Sequence, residues 1–240
     1  MYHLSHKSSG LLTKRNALTL SIRSARQINC RYAEYRAPGI ISTFDQISSL
    51  KSHTPHHDLT SYLEYATQNK LDLKSNVYVG TRYEYTVQSA FKRIGMSLKR
   101  IGGRDDYGTD LIGKWSLPST PFPLKVLIQC KAHAMKVSPA HARELEGAFA
   151  GAGAGSSNSG VLGILVSPKS ASKGVRESLG RSHWPMGYAL CTRDGKIMQM
   201  MWNKIAAEGE LAGIECGLRY TNGDLDQREI VLTWKGKTIS

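Results

Sequence analysis

Three polar side chains at the ends of two apolar segments could together hydrolyse a phosphate ester. Asp110 comes directly before an apolar pair, and Gln129 and Lys131 end the apolar run 126–128. Residues two positions apart in a β-strand point to the same face, so Gln129 and Lys131 should lie side by side. If the two segments form neighbouring strands, a carboxylate, an amide oxygen and an ammonium group converge at one end of a sheet.

This pattern predicts Mg²⁺-assisted attack on phosphate. Mg²⁺ prefers oxygen ligands and keeps several waters, so Asp110 and Gln129 are the predicted metal ligands. A metal held in this way neutralises charge that develops on phosphate, and Lys131 could assist the attacking water or the phosphate. The alternatives are an ordinary turn-closing aspartate and a strand that simply emerges into solvent.

A second acid and four bases are weaker candidates. Glu84 lies outside the apolar stripe of its predicted helix and could reach the same end of the sheet, or it could be a solvated surface acid. Phosphate contacts are predicted for Arg82, Lys136, Arg143 and Lys173, with a solvated basic face as the alternative. No ligand role is assigned to the acids at 144 and 146, because His-Glu-x-x-His spacing is absent.

Alternating helical and strand patterns place these residues. Apolar residues three and four apart predict a helix over 77–94 that ends at Gly95, and a shorter helix over 58–69 precedes it. Ser138-Pro139 predicts the start of another helix, which runs through 149 and is followed by a Gly-rich linker. We further predict strands at 96–101, 109–115, 124–131, 161–166, 187–192 and 196–202, a helix near 170–180, and a weakly alternating tail at 212–234.

The N-terminal segment has the composition of an organellar targeting sequence. Residues 1–33 hold six Lys and Arg and no Asp or Glu, with leucines interleaved. This composition predicts a mitochondrial transit peptide, with the matrix as the destination, whereas the alternative is a disordered basic arm. We divide the chain into this peptide, an irregular approach segment (34–76), a main domain (77–202) and a C-terminal extension packed on it (203–240).

Charge, hydropathy and cysteine spacing narrow the classes of protein. The formal net charge of +13 suits a polyanionic partner, and DNA is the partner we predict. No apolar run approaches the roughly 18 residues of a membrane-spanning helix, so none is predicted. The cysteines show no zinc-site spacing, and we expect Cys130, Cys191 and Cys216 to be buried free thiols.

The order of elements and the polar residues resemble the PD-(D/E)XK restriction-endonuclease-like superfamily, particularly its Mrr-like branch. The matching residues are Glu84 in Gly-Thr-Arg-Tyr-Glu, Asp110 in Gly-Thr-Asp, and Gln129 and Lys131 in Gln-Cys-Lys. The resemblance covers about residues 77–192 and implies an α/β fold, with an αβββαβ core whose mixed central sheet is flanked by helices. Gln129 stands where the superfamily often has a second acid.

With its N-terminal segment included, the chain also resembles a fungal mitochondrial family called required for respiratory growth protein seven. Together the two resemblances imply a Mg²⁺-dependent endonuclease that acts on DNA in mitochondrial genome maintenance and sustains respiration. The alternative is a catalytically inactive protein of the same fold that binds nucleic acid or serves in assembly. Either form could be a homodimer.

Overall fold

A mixed sheet of six strands lies at the centre of the described structure. The computed structural model describes residues 54–101, 108–132, 137–151, 160–220 and 228–239. The strands lie in chain order across the sheet and are Met96–Arg100 (β1), Leu111–Trp115 (β2), Leu124–Cys130 (β3), Val161–Ser167 (β4), Met186–Cys191 (β5) and Ile197–Trp202 (β6). β3, β4 and β5 are mutually parallel, whereas β1, β2 and β6 join their neighbours in antiparallel pairs. The predicted mixed α/β sheet is therefore confirmed.

Five helices accompany this sheet in the described ranges, and their bounds are Leu59–Gln68 (α1), Asn76–Lys92 (α2), Pro139–Gly151 (α3), Lys173–Arg181 (α4) and Lys204–Glu208 (α5). The hydroxyl of Ser75 accepts a hydrogen bond from the backbone N–H of Tyr78 at 3.2 Å and so caps α2. After α2 the chain turns at Gly95, whose φ of 84° suits glycine. From α2 to β4 the order is helix, three strands, helix and strand, as the sequence predicts.

The two faces of the sheet are covered by different helices. Side chains alternate along the buried strands, so Ile128 packs with Phe91 of α2, whereas the preceding Leu127 packs with Leu145 and Phe149 of α3. Every residue of β4 is buried, which is the pattern of a parallel strand covered on both sides. Because helices cover both faces of the sheet, the ends of the strands are where polar side chains can cluster.

An aromatic cluster joins α1 to α2. Tyr62 of α1 stacks on Tyr78, with ring centroids 5.7 Å apart, and the Nδ1 of buried His56 lies 2.7 Å from the hydroxyl oxygen of Tyr85. Burial, together with the positive charges of Arg100 and His57, lowers the pKa of His56, so this ring is neutral at pH 7. The described part of the approach segment thus contains a helix that packs against α2.

A second, three-stranded antiparallel sheet follows α5. Its strands are Ile214–Tyr220 (β7), Arg228–Trp234 (β8) and Lys237–Ile239 (β9), with β8 in the centre. Ile214 and Leu232 pack in the same core as Phe91 of α2. The prediction that Cys216 is buried is wrong, because β7 is an edge strand and leaves this thiol exposed, whereas Cys191 is buried.

Several predictions fall on residues outside the described ranges. They are the transit peptide over 1–33, the first part of the approach segment, the phosphate contact of Lys136, and most of the Gly-rich linker after α3. Among the described residues, none of the helices has the length and hydropathy needed to cross a bilayer.

Candidate active site

Asp110 lies against the C-terminal end of β3. Its backbone N–H donates to the carbonyl of Ile128 at 2.9 Å, and its Oδ2 accepts a hydrogen bond from the backbone N–H of Cys130 at 2.6 Å. Cys130 is flanked by Gln129 and Lys131, so the carboxylate sits beside the Gln-x-Lys segment. The structure brings these three predicted residues together because β2 and β3 are antiparallel neighbours.

Gln129 contributes a buried oxygen atom to this end of the sheet. The residue is only 3% exposed, and its Nε2 lies 3.4 Å from Oε2 of Glu144. Its Oε1 is also buried and has no hydrogen-bond partner among the described residues. An acceptor that has lost water without gaining a donor is costly, which makes Oε1 a suitable position for a ligand atom.

Gly108 lies beside the Gln129 amide and has a left-handed backbone conformation. A Cβ atom added at this glycine would lie 3.5 Å from Nε2 of Gln129, an ordinary contact distance, but its φ of +75° is one that other residues rarely adopt. The backbone conformation, and not the space beside the amide, therefore favours glycine where the chain enters β2. The Gly-Thr-Asp sequence thus has a local structural reason for its glycine.

Glu144 of α3 completes the cluster, although its place in the sequence predicted no ligand role. Its Oε2 lies 3.1 Å from Nζ of Lys131, and the two side chains are 49% and 25% exposed, respectively. Burial alone would raise the pKa of Glu144, but the hydrogen bond and charge of Lys131, aided by His141 and Gln129, together lower it. Glu144 is therefore ionised at neutral pH and is available as a further oxygen donor.

Glu84 reaches the same end of the sheet from the opposite face. Its carboxylate pairs with the guanidinium of Arg100 at the end of β1, and the side chains are 12% and 15% exposed, respectively. Arg100 also donates from Nη2 to Oγ1 of Thr81 at 3.4 Å. Burial lowers the pKa of Arg100, but the charge and hydrogen bond of Glu84, together with Tyr85 and Asp110, raise it, so the net shift is upward. The alternative of a solvated Glu84 is wrong, because α2 holds it against the sheet.

The three predicted phosphate-binding bases that the structure describes lie on three separate helices. Arg82 and Arg143 are exposed on α2 and α3, and exposed Lys173 begins α4 and lies 3.8 Å from Glu177. Gly174, next to Lys173, is so close to the start of α3 that an added Cβ would lie 3.0 Å from Pro139. Lys173 and Arg143 thus lie on two helices whose N-terminal ends are close together, whereas Arg82 lies on the other face of the sheet.

The residues at the end of β3 fit a hard divalent cation in donor type. Asp110, Glu144 and the orphaned Oε1 of Gln129 offer the oxygen atoms that Mg²⁺ prefers. Across the residues that the structure describes, no group of three or more His, Cys, Asp and Glu is placed to hold a metal. The set is therefore two carboxylates from different elements and one amide, with water expected at the remaining positions.

Comparison with known sequences finds a protein family whose profile matches this chain. The sequence profile described as required for respiratory growth protein 7 matches residues 75–122 and 119–214, a stretch that holds every described residue of the candidate site. No solved structure shows significant similarity to the chain.

Individual relatives come from fungi. An uncharacterized mitochondrial protein of Schizosaccharomyces pombe is 34% identical over 152 residues, which cover 62% of this chain and 60% of that protein. The mitochondrial required for respiratory growth protein 7 of Zygosaccharomyces rouxii is 30% identical, over 46% of this chain and 62% of the relative. The chain thus matches less than two thirds of the length of these two relatives. Their names confirm the predicted mitochondrial localisation.

Proposed function

The chain belongs to the required for respiratory growth protein 7 family, and on that premise we propose that it is a metal-dependent nuclease that acts on DNA. Relatives in the family are named for respiratory growth, and we infer that this chain sustains it through maintenance of the mitochondrial genome. The observation that carries the proposal is that Glu144 contacts both Gln129 and Lys131 at the end of β3, where Asp110 accepts a hydrogen bond from the backbone N–H of the intervening Cys130. We further propose that the αβββαβ part of the fold is restriction-endonuclease-like.

Each side chain has a role that follows from its chemistry. Asp110 and Glu144 are carboxylates and, with the buried Oε1 of Gln129, would hold Mg²⁺. Bound Mg²⁺ would supply charge neutralisation at the phosphate and a nucleophilic water at neutral pH. Lys131, whose ammonium group lies 3.1 Å from Glu144 in a partly exposed pair, would contact a phosphate oxygen in place of Glu144. Arg143 and Lys173 lie on helix starts where the DNA backbone could run.

The decisive experiment is cleavage of DNA by the full chain. Supercoiled plasmid, linear duplex and a branched junction should be incubated with Mg²⁺ or Mn²⁺, and nicked or cut products measured. We expect Lys131→Ala and Asp110→Ala each to reduce the rate by about 100-fold or more, because each removes a group that acts on the phosphate. Undiminished cleavage in both variants, or no cleavage of any substrate, would refute the nuclease assignment.

Lys204→Ala is the matched control. Lys204 is also a lysine paired with a glutamate, Glu208, at 3.6 Å, but it lies on α5 in an exposed i, i+4 pair. Its removal should leave cleavage unchanged. A loss of activity in this variant would indicate that cleavage depends on the net positive charge of the protein and not on the candidate site.

One observation favours a second candidate, a nucleic-acid-binding protein without turnover. Lys131 is neutralised by Glu144 and Glu84 by Arg100, so two of the four predicted catalytic residues already have charged partners. Such a protein would bind DNA with an affinity that falls linearly with salt on logarithmic axes. Its binding would be weaker in Mg²⁺ than in EDTA, because Mg²⁺ competes for the DNA phosphates, whereas a metal-dependent nuclease should gain affinity from Mg²⁺ that joins its site to a phosphate.

A further inference from the structure

β7 is an exposed strand at the edge of the second sheet. Among the described strands it pairs with β8 alone, on one side, and six consecutive residues, 215–220, are exposed. Leu218 and Tyr220 are each about half exposed, although both are large apolar or aromatic residues. An open groove of about 610 Å³ follows the strand and is lined by residues of β7 together with Val231 and Thr233 of β8.

The other edge of the same sheet is constructed differently. β9 has three residues and begins with Lys237, and a short strand with a lysine is a common protection against pairing with another chain. β7 has seven residues without lysine or proline, and its register with β8 contains no bulge. Unpaired backbone groups along such a strand are available to a further strand.

The sequence of β7 is complementary to itself when reversed. In an antiparallel pair of two β7 strands centred on Gly217, Glu215 of each copy lies opposite Arg219 of the other. The same register puts Cys216 opposite Leu218, so an apolar pair forms on the other face. Opposite charges and apolar pairs across neighbouring strands each contribute about 0.2–1 kcal/mol.

We propose that β7 is a homodimerisation strand that pairs with β7 of a second copy about a two-fold axis at Gly217. The two sheets then form one continuous six-stranded antiparallel sheet. A slip by one residue would place Glu215 opposite Leu218 and lose both ion pairs, so the charges select the register. A two-fold axis requires that one surface complement itself, and β7 meets this condition.

Charge reversal in the full chain tests the proposal. Sedimentation velocity over a wide concentration range should show a monomer–dimer equilibrium for the wild type, and Arg219→Glu should weaken it by about tenfold or more, because two attractions become repulsions. The double variant Glu215→Arg/Arg219→Glu restores opposite charges and should regain the dimer. Wild-type protein that stays monomeric at every concentration would overturn the proposal.

Two controls separate dimerisation from folding of the sheet. Arg219 also lies opposite Glu229 of β8 in its own chain, so Arg219→Glu/Glu229→Arg keeps the internal charge pair and should still fail to dimerise. Lys92→Glu changes a charge at the end of α2 and should dimerise like the wild type. A dimer that survives Arg219→Glu would overturn the proposal.

The axis can be located by cross-linking. In a Cys216→Ser background, Gly217→Cys places two thiols at the proposed axis, and an added Cβ there meets nothing closer than 3.9 Å. Oxidation should give covalent dimers, whereas Thr238→Cys on β9 should not. Equal yields from the two variants would place the contact elsewhere and refute the proposed pairing.

Discussion

Two glutamate–base pairs approach the same end of the central sheet from opposite faces, and they differ in their access to water. On the α2 face, the side chains of Glu84 and Arg100 are 12% and 15% exposed, respectively. On the α3 face, the side chains of Glu144 and Lys131 are 49% and 25% exposed, respectively. Both pairs join an acid on a helix to a base at a strand end. Glu144 of the second pair also contacts the Gln129 amide.

This difference in exposure distinguishes an ion pair that stabilises the fold from an ion pair that belongs to the candidate active site. Removing one partner of a buried pair leaves a charge without water or partner, so a pair such as Glu84–Arg100 holds its helix in place. An exposed pair contributes little to stability and can exchange partners. We therefore assign Glu84 to positioning α2 and Arg100, and Glu144 to the site itself.

The largest expected effect comes from breaking the buried pair. Glu84→Gln should lower the free energy of unfolding by about 3 kcal/mol, because Arg100 keeps its charge in a desolvated position. Urea denaturation of the full chain measures this loss. Glu144→Gln is the matched control and should cost about 1 kcal/mol or less. Equal losses in the two variants would remove the distinction between the pairs.

A smaller effect of opposite sign is expected at Gln129. Gln129→Leu removes the unpartnered Oε1 and should raise the free energy of unfolding by about 1 kcal/mol. The same variant should lose any thermal stabilisation that Mn²⁺ gives the wild type. Gln88→Leu is the comparison, because the Gln88 amide donates to the carbonyl of Leu98 at 2.9 Å and its loss should destabilise. A destabilised Gln129→Leu with unchanged Mn²⁺ response would contradict a ligand role.

The smallest expected change is a titration shift in the exposed pair. Lys131 lowers the pKa of Glu144 below its ordinary 4.5, so Lys131→Ala should move the NMR titration midpoint of this carboxyl upward. Because the folded-state pKa is lowered, the contribution of the pair to stability is complete above pH 4.5 and falls as the pH drops through the lowered pKa. An unmoved midpoint would mean that Lys131 does not hold Glu144 in solution.

The helices and strands were easier to predict from the sequence than the charged partners of the site residues. Spacing of Tyr83, Val87, Ala90 and Phe91 defines α2, since a helix with one apolar stripe must bury it. The position of Asp110 beside the end of β3 was also predictable, because it follows from an antiparallel pairing of β2 with β3. Such patterns act over short distances along the chain, so they can be read without tertiary information.

The charged partners required information that the sequence does not contain. Glu144 meets Lys131 because α3 crosses the sheet at a particular angle, and neither residue type nor spacing specifies that angle. Arg100 meets Glu84 for the same reason on the other face. The exposure of Cys216 depends on whether β7 joins the central sheet or a second one, and weak alternation is compatible with both.

The parallel pairing of β3 with β4 has a kinetic consequence. Its register joins residues as far apart as Lys125 and Val161, and α3 lies between them in the sequence. A long crossover must close before the first of these contacts can form, and such topologies fold on slow timescales, near milliseconds to seconds. We expect the rate-limiting step of folding to be the docking of β4 beside β3, so destabilising substitutions in β4 should slow refolding, whereas those in β7–β9 should mainly speed unfolding.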